Sequence, residues 1–501
     1  MIAEITGLDY LKLKKGQRFA YKFKRFFSLI PTFFKNLGIK IGLFFKNLGL
    51  GIYHWFKDLV LTFIHGDWKT KVSYIIMGFG SIARGQILRG ILFLGFEILF
   101  IVYMIMWGGY HLGKLGSLGM YYEATITNPD GSVVYGVNSF NVLLYGVLTI
   151  FFIIALIYTW NLNIKQNRIN EQIIADEKRL ATAKDDLRAV VDKDFHKTLL
   201  ALPSIGIFIF TLLPIFFMIL VAFTSYDKNH MPPMNLFGWV GFDNFSQLFT
   251  WSAGGNNFAM TFGQILLWTI VWAFFATFTN YFLGMMVAML INKKGIKFKK
   301  LWRTILVLSI AIPQFISLLY IREMFQTDGI INNFIASLGG KPIDFWGDPW
   351  LARITVIVIN IWIGIPYLML VTTGILMNIP ADLYESANID GASPWQQYSK
   401  ITLPYMLFVT GPYLLTSFTG NMNNFNVIYL LTGGGPKDIN MASSANGSTD
   451  LLITWLFNLA VSNSDYKLAA VIGIMVFIVV AILSLIVYNL IPSTRNEEEF
   501  Q

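Results

Sequence analysis

The chain contains no cysteine, which excludes disulfides, zinc–thiolate sites and thiol catalysis and leaves the redox compartment unreadable. Charge is scarce. Only 13% of residues are Asp, Glu, Lys or Arg, against roughly 25% in a soluble globular protein. No G-x-x-x-x-G-K-S/T run occurs, so no P-loop is present to cradle nucleotide phosphates. The five histidines (His54, His65, His111, His196 and His230) lack metal-ligand spacing. With no catalytic triad or paired buried carboxylates either, the chain reads as a non-enzyme. What it has in abundance is apolar: 55% of its 501 residues are hydrophobic, the composition of an integral membrane protein.

Crossing the roughly 30 Å hydrocarbon core takes about 20 apolar residues. Eight runs qualify, at 87–108, 142–160, 199–222, 264–291, 302–322, 351–378, 405–430 and 467–491. The expected fold class is therefore all-α: a polytopic membrane protein of about eight transmembrane helices. Residues 1–16 lack a cleavable signal pattern, so the first span is expected to direct insertion. Lys and Arg mark the cytoplasmic side. Alternate segments carry 14 basic residues before the first span, eight in 161–198, six in 292–303, one in 379–404 and one in the tail. The intervening loops 109–141, 223–263, 323–350 and 431–466 hold one each. That asymmetry places both termini in the cytoplasm. It also makes the net charge of +9 a cytoplasmic membrane face attracted to anionic lipid, not a nucleic-acid footprint.

The expected organisation is a basic, amphipathic cytoplasmic and interfacial region (1–86), the first two spans (87–160), a charged helical linker (161–198), a permease core (199–491) holding a loop at 380–404, and a cytoplasmic tail (492–501). The first region repeats every 11 residues: Phe33-Phe34-Lys35-Asn36-Leu37, Phe44-Phe45-Lys46-Asn47-Leu48, Trp55-Phe56-Lys57-Asp58-Leu59. Eleven residues make almost three helical turns, so each unit presents the same face. Aromatic and basic residues at that period describe interfacial helices, loosened by Gly38, Gly42, Gly49 and Gly51. Segment 161–198, with eight basic and seven acidic residues, reads as a solvated helix laced with ion pairs.

Segment 384–404, YESANIDGASPWQQYSKITLP, is a polar island between two apolar runs. Asp382 and Glu385 have capping-box spacing, Gly391 suits a left-handed stop, and Ser393-Pro394 reads as an N-cap and first-turn pair. The expected shape is helix, elbow, helix. By spacing alone this is equally an ordinary capped loop. Yet Glu385, Ala387, Asp390, Gly391, Ala392, Ile401, Leu403 and Pro404 resemble the "EAA" signature of permease subunits of binding-protein-dependent ABC importers, with Ser386 where alanine is usual. IPQFISLLY from Ile312, NIWIGIPYLML from Asn360, SFTGNMNNFNVIYLLTGGGP from Ser417 and STDLL from Ser448 narrow the resemblance to MalF-like carbohydrate permeases, over the C-terminal half. The resemblance implies that the elbow couples to a cytoplasmic ATPase through Glu385, Ala387, Asp390, Gly391 and Ala392.

Residues 401–436 contain no charge, yet Ser417, Asn421 and Asn424 share one helical face at i, i+4 and i+7. Asn360, Gly364 and Tyr367 repeat the spacing in the span 351–378. Amides, hydroxyls and a ring can bind a polyol without burying net charge, whereas an ion pathway calls for intramembrane charge. The same faces serve equally as interhelical glue. The resemblance implies that these six residues form the mid-membrane sugar site. Gly420 stands where the family carries a bulky aromatic residue, and Ile310 and Gln314 also depart from it. Those departures imply a roomier pocket and a longer or different oligosaccharide. Pro214, Pro313, Pro366 and Pro412 are expected to kink their spans.

Taken together, the expectation is a permease of an oligosaccharide (maltodextrin-like) importer in a bacterial plasma membrane. By the resemblance, its partners would be a MalG-like second permease, two cytoplasmic ATPases that bind ATP-Mg, and an extracytoplasmic sugar-binding protein. This chain itself would bind no cofactor. The rival reading is a secondary active transporter for a neutral polyol or sugar, which would show coupling-ion residues or an internal repeat; neither is found. A membrane glycan enzyme and a structural scaffold are further rivals.

Overall fold

The computed structural model describes residues 15–122, 125–127, 133–249, 258–293, 295–437 and 446–490. They belong to two compact units, one of 1–110 with 148–205 and the other of 111–147 with 206–501.

The first unit opens with α1, Lys15–His65, a single helix of 51 residues. At 1.5 Å per residue it is roughly 77 Å long. The four glycines do not interrupt it, and nothing lies within 4 Å of where their side chains would be. Most of its described side chains from Gly42 onward are exposed, among them Phe44, Phe45, Leu48, Tyr53, Phe56, Val60 and Ile64. Trp55, Leu59 and Thr62, at i, i+4 and i+7, form its more buried stripe. The short helices α2 (Trp68–Val72) and α3 (Phe79–Ile82) follow, then the apolar α4, Ile87–Leu115, which passes through a π-turn at Met104–Gly108. Residues 111–147, which belong to the second unit, contain an antiparallel hairpin, β1 (Thr125–Thr127) and β2 (Val133–Tyr135), that pairs Ile126 with Val134. It is a small exception to an otherwise helical fold.

Helix α5, Ser139–Ala175, runs for 37 residues and continues well past the apolar stretch that ends at Trp160. This differs from the solvated linker that charge alone suggests. Asn163, Asn167 and Asn170 are fully buried. The Gly78 amide donates to Asn163 Oδ1 (3.0 Å), Asn163 Nδ2 donates to Ser73 O (2.9 Å), and Asn170 Nδ2 donates to Gln86 Oε1 (2.7 Å). Arg84, whose side chain is 1% exposed, donates to Asn167 Oδ1 (2.6 Å), Thr70 Oγ1 (2.8 Å) and Asp67 Oδ1 (2.6 Å), with Glu171 at 3.3 Å. A buried guanidinium is tolerable only with such saturation. The remainder of the linker is more exposed: α6, Ala183–Val191, is held by a Thr182–Asp185 capping box and an Arg89–Asp186 ion pair. Helix α7, Phe195–Val221, then leads into the second unit.

There, α8 (Asp243–Phe249) precedes the long α9 (Phe258–Asn292). The expected fifth span, 302–322, is not one straight helix. It is α10 (Lys299–Ala311) and α11 (Gln314–Met324), bent by 92°. Pro313, lacking an amide hydrogen, sits as the N-cap of α11. After α12 (Ile330–Ser337) comes α13 (Pro349–Leu376), capped by Asp348, whose carboxylate accepts the Leu351 amide. Pro366 lies inside α13 without ending it. Then follow α14 (Ala381–Ile389), α15 (394–422, with Pro412 inside it), α16 (Phe425–Thr432), α17 (Leu452–Ser462) and α18 (Tyr466–Leu490).

The core of this unit joins Trp268, Trp272 and Ala276 of α9 to Leu318 and Ile321 of α11, Val356 and Ile359 of α13, and Val427, Ile428 and Leu431 of α16. Helices α9 and α13 approach closely because each offers a glycine to the other. A methyl at Gly284 would lie 2.6 Å from Leu368 Cβ. Small residues at crossings are how apolar helices gain contact when lipid is as apolar as they are.

Candidate functional site

The elbow is built locally. The αL cap at Gly391 (φ +73°) is present, and so is a reciprocal capping box at Ser393 and Gln396. The Asp382–Glu385 box is not formed. Pro380 occupies the N-cap of α14 with no side-chain bond, which moves Asp382 into the first turn. Across the bend, Gln397 Nε2 donates to Asn388 Oδ1 (2.6 Å) and Ala392 O (3.2 Å), and the Ala392 amide donates to Ala387 O (2.9 Å). The Tyr384 and Thr402 hydroxyls lie 2.9 Å apart. The angle between α14 and α15 is thus pinned at several points. The outer surface of the bend is unused: Glu385, Asp390 and Gly391 are exposed, Ala387 and Ala392 half-buried, and Ile389 is 87% exposed. Glu385 and Asp390 form no ion pair among the described residues.

The second helix of the elbow, α15, also carries Ser417 and Asn421. Asn424 is not on it. The helix stops at Met422 and restarts at Phe425, and Asn424 caps α16 by accepting the Val427 amide (3.3 Å). The single face expected for the three residues is broken by Asn423-Asn424. Asn421 and Asn424 still meet, Asn424 Nδ2 donating to Asn421 Oδ1 at 3.4 Å.

Three residues not singled out from sequence gather the six candidates into two groups, one around Thr277 and Asn280 and one around Tyr413. Asn421 Nδ2 donates to Thr277 Oγ1 (3.0 Å). Three residues further along α9, Asn280 Nδ2 donates to Asn360 O (3.4 Å) and fills the space a side chain at Gly364 would need. Tyr413 hydrogen-bonds Ser417 and has Tyr367 as a neighbour. Thr277 and Asn280 were legible as a polar pair within the apolar span 264–291. Asn360 is buried, Tyr367 half-exposed, and Gly420 faces open space, with nothing within 4 Å of an added methyl. The Asn280 Oδ1 atom is buried without a hydrogen-bond partner. Such an orphan costs about 1–3 kcal/mol and is common where a site awaits a ligand or a second conformation. The resulting lining of amides, hydroxyls and phenols carries no net charge.

Beyond α16, Gly433 (φ +60°) opens the glycine turn. Thr449 Oγ1 donates to Gly435 O (2.5 Å), Trp268 Nε1 donates to Thr449 O (3.1 Å), and Arg353 Nε donates to Ser448 O (2.7 Å) while lying over the Trp268 ring. Asp450 is 1% exposed. Burial pushes its carboxyl up to about 6, only partly offset by the hydrogen bond that the Gly447 amide donates to Oδ2 (2.8 Å), while Oδ1 has no hydrogen-bond partner.

A helical bundle with a pinned polar elbow leading straight into an uncharged polar cluster has counterparts among known proteins. The family model described as "Binding-protein-dependent transport system inner membrane component" matches residues 280–496. The chain is 34% identical over 446 residues to the maltodextrin transport system permease protein MalC of Streptococcus pneumoniae, covering 86% of this chain and 97% of MalC. It is 33% identical over 426 residues to the galactooligosaccharides transport system permease protein GanP of Bacillus subtilis, covering 84% and 97%. With the maltose/maltodextrin permease MalF of Escherichia coli it shares 36% identity over 251 residues, about half of each chain. The chain belongs to the family of inner-membrane components of binding-protein-dependent transport systems. It is a membrane permease subunit and not an enzyme, and that membership sets aside the secondary-transporter reading.

Proposed function

We propose that this permease imports an oligosaccharide of the maltodextrin type, or a related neutral glycan, by ATP-driven alternating access. The observation that supports the reading is the physical continuity of α15. One end forms the pinned elbow, and the other carries Ser417 and Asn421 into the uncharged cluster with Asn360, Gly364, Tyr367 and Asn424. A displacement of the elbow can therefore reach the candidate sugar site along one continuous helical segment, which runs through a π-turn at Tyr398–Thr402 and past Pro412.

In this reading both termini and the elbow are cytoplasmic. A MalG-like second permease completes the pathway, and two cytoplasmic ATPases grip the exposed outer surface of the bend at Glu385, Ala387, Asp390, Gly391 and Ala392. ATP and Mg bind to those subunits, and a sugar-loaded receptor docks on the opposite side. Nucleotide and receptor shift the permease toward an outward-facing state only as far as they bind that state better than the inward one. Amides and hydroxyls hold sugar hydroxyls by donating and accepting in turn, while Tyr367 offers its ring to the apolar face of a pyranose.

The test is uptake of labelled malto-oligosaccharides and galacto-oligosaccharides by proteoliposomes holding the complete importer and its receptor. Uptake should require ATP and survive collapse of ion gradients. Accumulation without ATP, or no uptake of any neutral oligosaccharide by an active complex, would overturn the proposal.

A further inference from the structure

The first unit holds a groove of about 430 Å³ between α1 and the polar end of α5, lined by His54, Trp55, Lys57, Asp58, Leu59 and Leu61 on one side and Asn161, Ile164, Lys165 and Arg168 on the other. We propose that this groove is a binding site for the headgroup of an anionic phospholipid.

Charge is the first argument. Three permanent cations, Lys57, Lys165 and Arg168, face one carboxylate, Asp58, and the only ion pair among them is a loose 3.6 Å contact between Arg168 and Asp58, both well exposed. Lys57 and Lys165 have no carboxylate partner among the described residues. An unpaired cation pair beside a guanidinium favours a phosphate oxygen cluster over water.

Depth is the second argument. The apolar stretch of α5 ends at Trp160, whose indole donates to Tyr74 O, and the groove begins one residue later. At 1.5 Å per residue, Asn161 to Lys165 covers roughly 6 Å, about the thickness of one headgroup layer. The Tyr74 hydroxyl in turn donates to Leu59 O (2.7 Å), which fixes α1 at this level. Chemistry on the two walls matches a lipid and not a free anion. Trp55, Leu59, Leu61 and Ile164 line the same groove as the cations, and α1 beside it exposes Phe56, Val60 and Ile64, side chains suited to the acyl boundary. An inorganic phosphate would use the cations and leave the apolar wall unfilled.

The test uses the complete importer in nanodiscs and reads quenching of Trp55, isolated as the difference between the native protein and Trp55→Phe. The probes are phosphatidylglycerol and phosphatidylcholine brominated near the headgroup. Phosphatidylglycerol should quench Trp55 at several-fold lower mole fraction than phosphatidylcholine. Each of Lys57→Gln, Lys165→Gln and Arg168→Gln should weaken that preference by about fivefold, and Asp58→Asn should strengthen it. Millimolar inorganic phosphate should not displace the lipid. Equal quenching by the two lipids overturns the site. Displacement by phosphate overturns its assignment to lipid. Arg168→Lys, which keeps the charge, should retain the preference; its loss there would mean a packing role and count against the proposal.

Discussion

A methyl group at Gly364 would lie 2.8 Å from Asn280 Cγ, so the two residues occupy one space on facing helices. Gly364→Ala is expected to cut transport at least tenfold with the complex still assembled, because the obstructing atoms belong to a side chain that can swing aside. Adding Asn280→Ala should restore much of the lost uptake. Additive losses in that double-mutant cycle would show that the glycine acts independently of Asn280. Gly284→Ala, which meets Leu368 and the backbone of α13, should instead lower the unfolding temperature, at a cost of about 1–3 kcal/mol.

The elbow depends on a left-handed residue. Gly391→Ala should impose about 1–2 kcal/mol of strain, and Gly391→Pro cannot adopt φ +73° at all. Receptor-stimulated ATP hydrolysis in proteoliposomes should fall partly in the first variant and vanish in the second, with membrane insertion unchanged. Full stimulation in Gly391→Pro would remove the elbow from the coupling path.

Open space at Gly420 should set substrate size. Gly420→Phe is expected to fold normally, since nothing lies within 4 Å of the new side chain's first carbon. Uptake of longer malto-oligosaccharides should drop several-fold more than uptake of the disaccharide. A uniform change across chain lengths would show that the position does not touch sugar.

Asp450 makes stability depend on pH. Its folded pKa, raised from 3.8 to about 6, means that protonation favours the folded chain. The stabilising share is complete below 3.8 and is lost as pH rises through about 6. Above that point the buried carboxylate costs about 3 kcal/mol. Asp450→Asn should therefore melt higher than the native protein at pH 7.5, with the gap closing towards pH 4. Parallel melting curves across that range would contradict the assignment.

Features coded by a few adjacent residues were legible in the sequence. Gly391 and Ser393-Pro394 both took the shapes their chemistry dictates. Capping at Asp382 was misread because Pro380, two residues before it, fixes the backbone and takes the N-cap position. Hydropathy sees length and not direction, so the turn at Pro313 could be expected as a kink but not as 92°. Spacing also cannot tell glue from binding surface. Asn163, Asn167 and Asn170 repeat the i, i+4, i+7 pattern of the sugar candidates, yet they are spent on Ser73, Arg84 and Gln86 within the chain. The partners of a polar stripe are set by which helix lies opposite, and that information is non-local.

The right-angle turn at Pro313 also governs the parity of the chain's passage through the bilayer. Its two arms, of 13 and 11 residues, reach roughly 20 and 16 Å, so neither traverses the membrane unaided and the pair counts as one traverse or as none. Counted once beside the seven long apolar helices of the described residues, it brings Lys299 and Gly391 to the same side. Counted as none, it would put them on opposite sides.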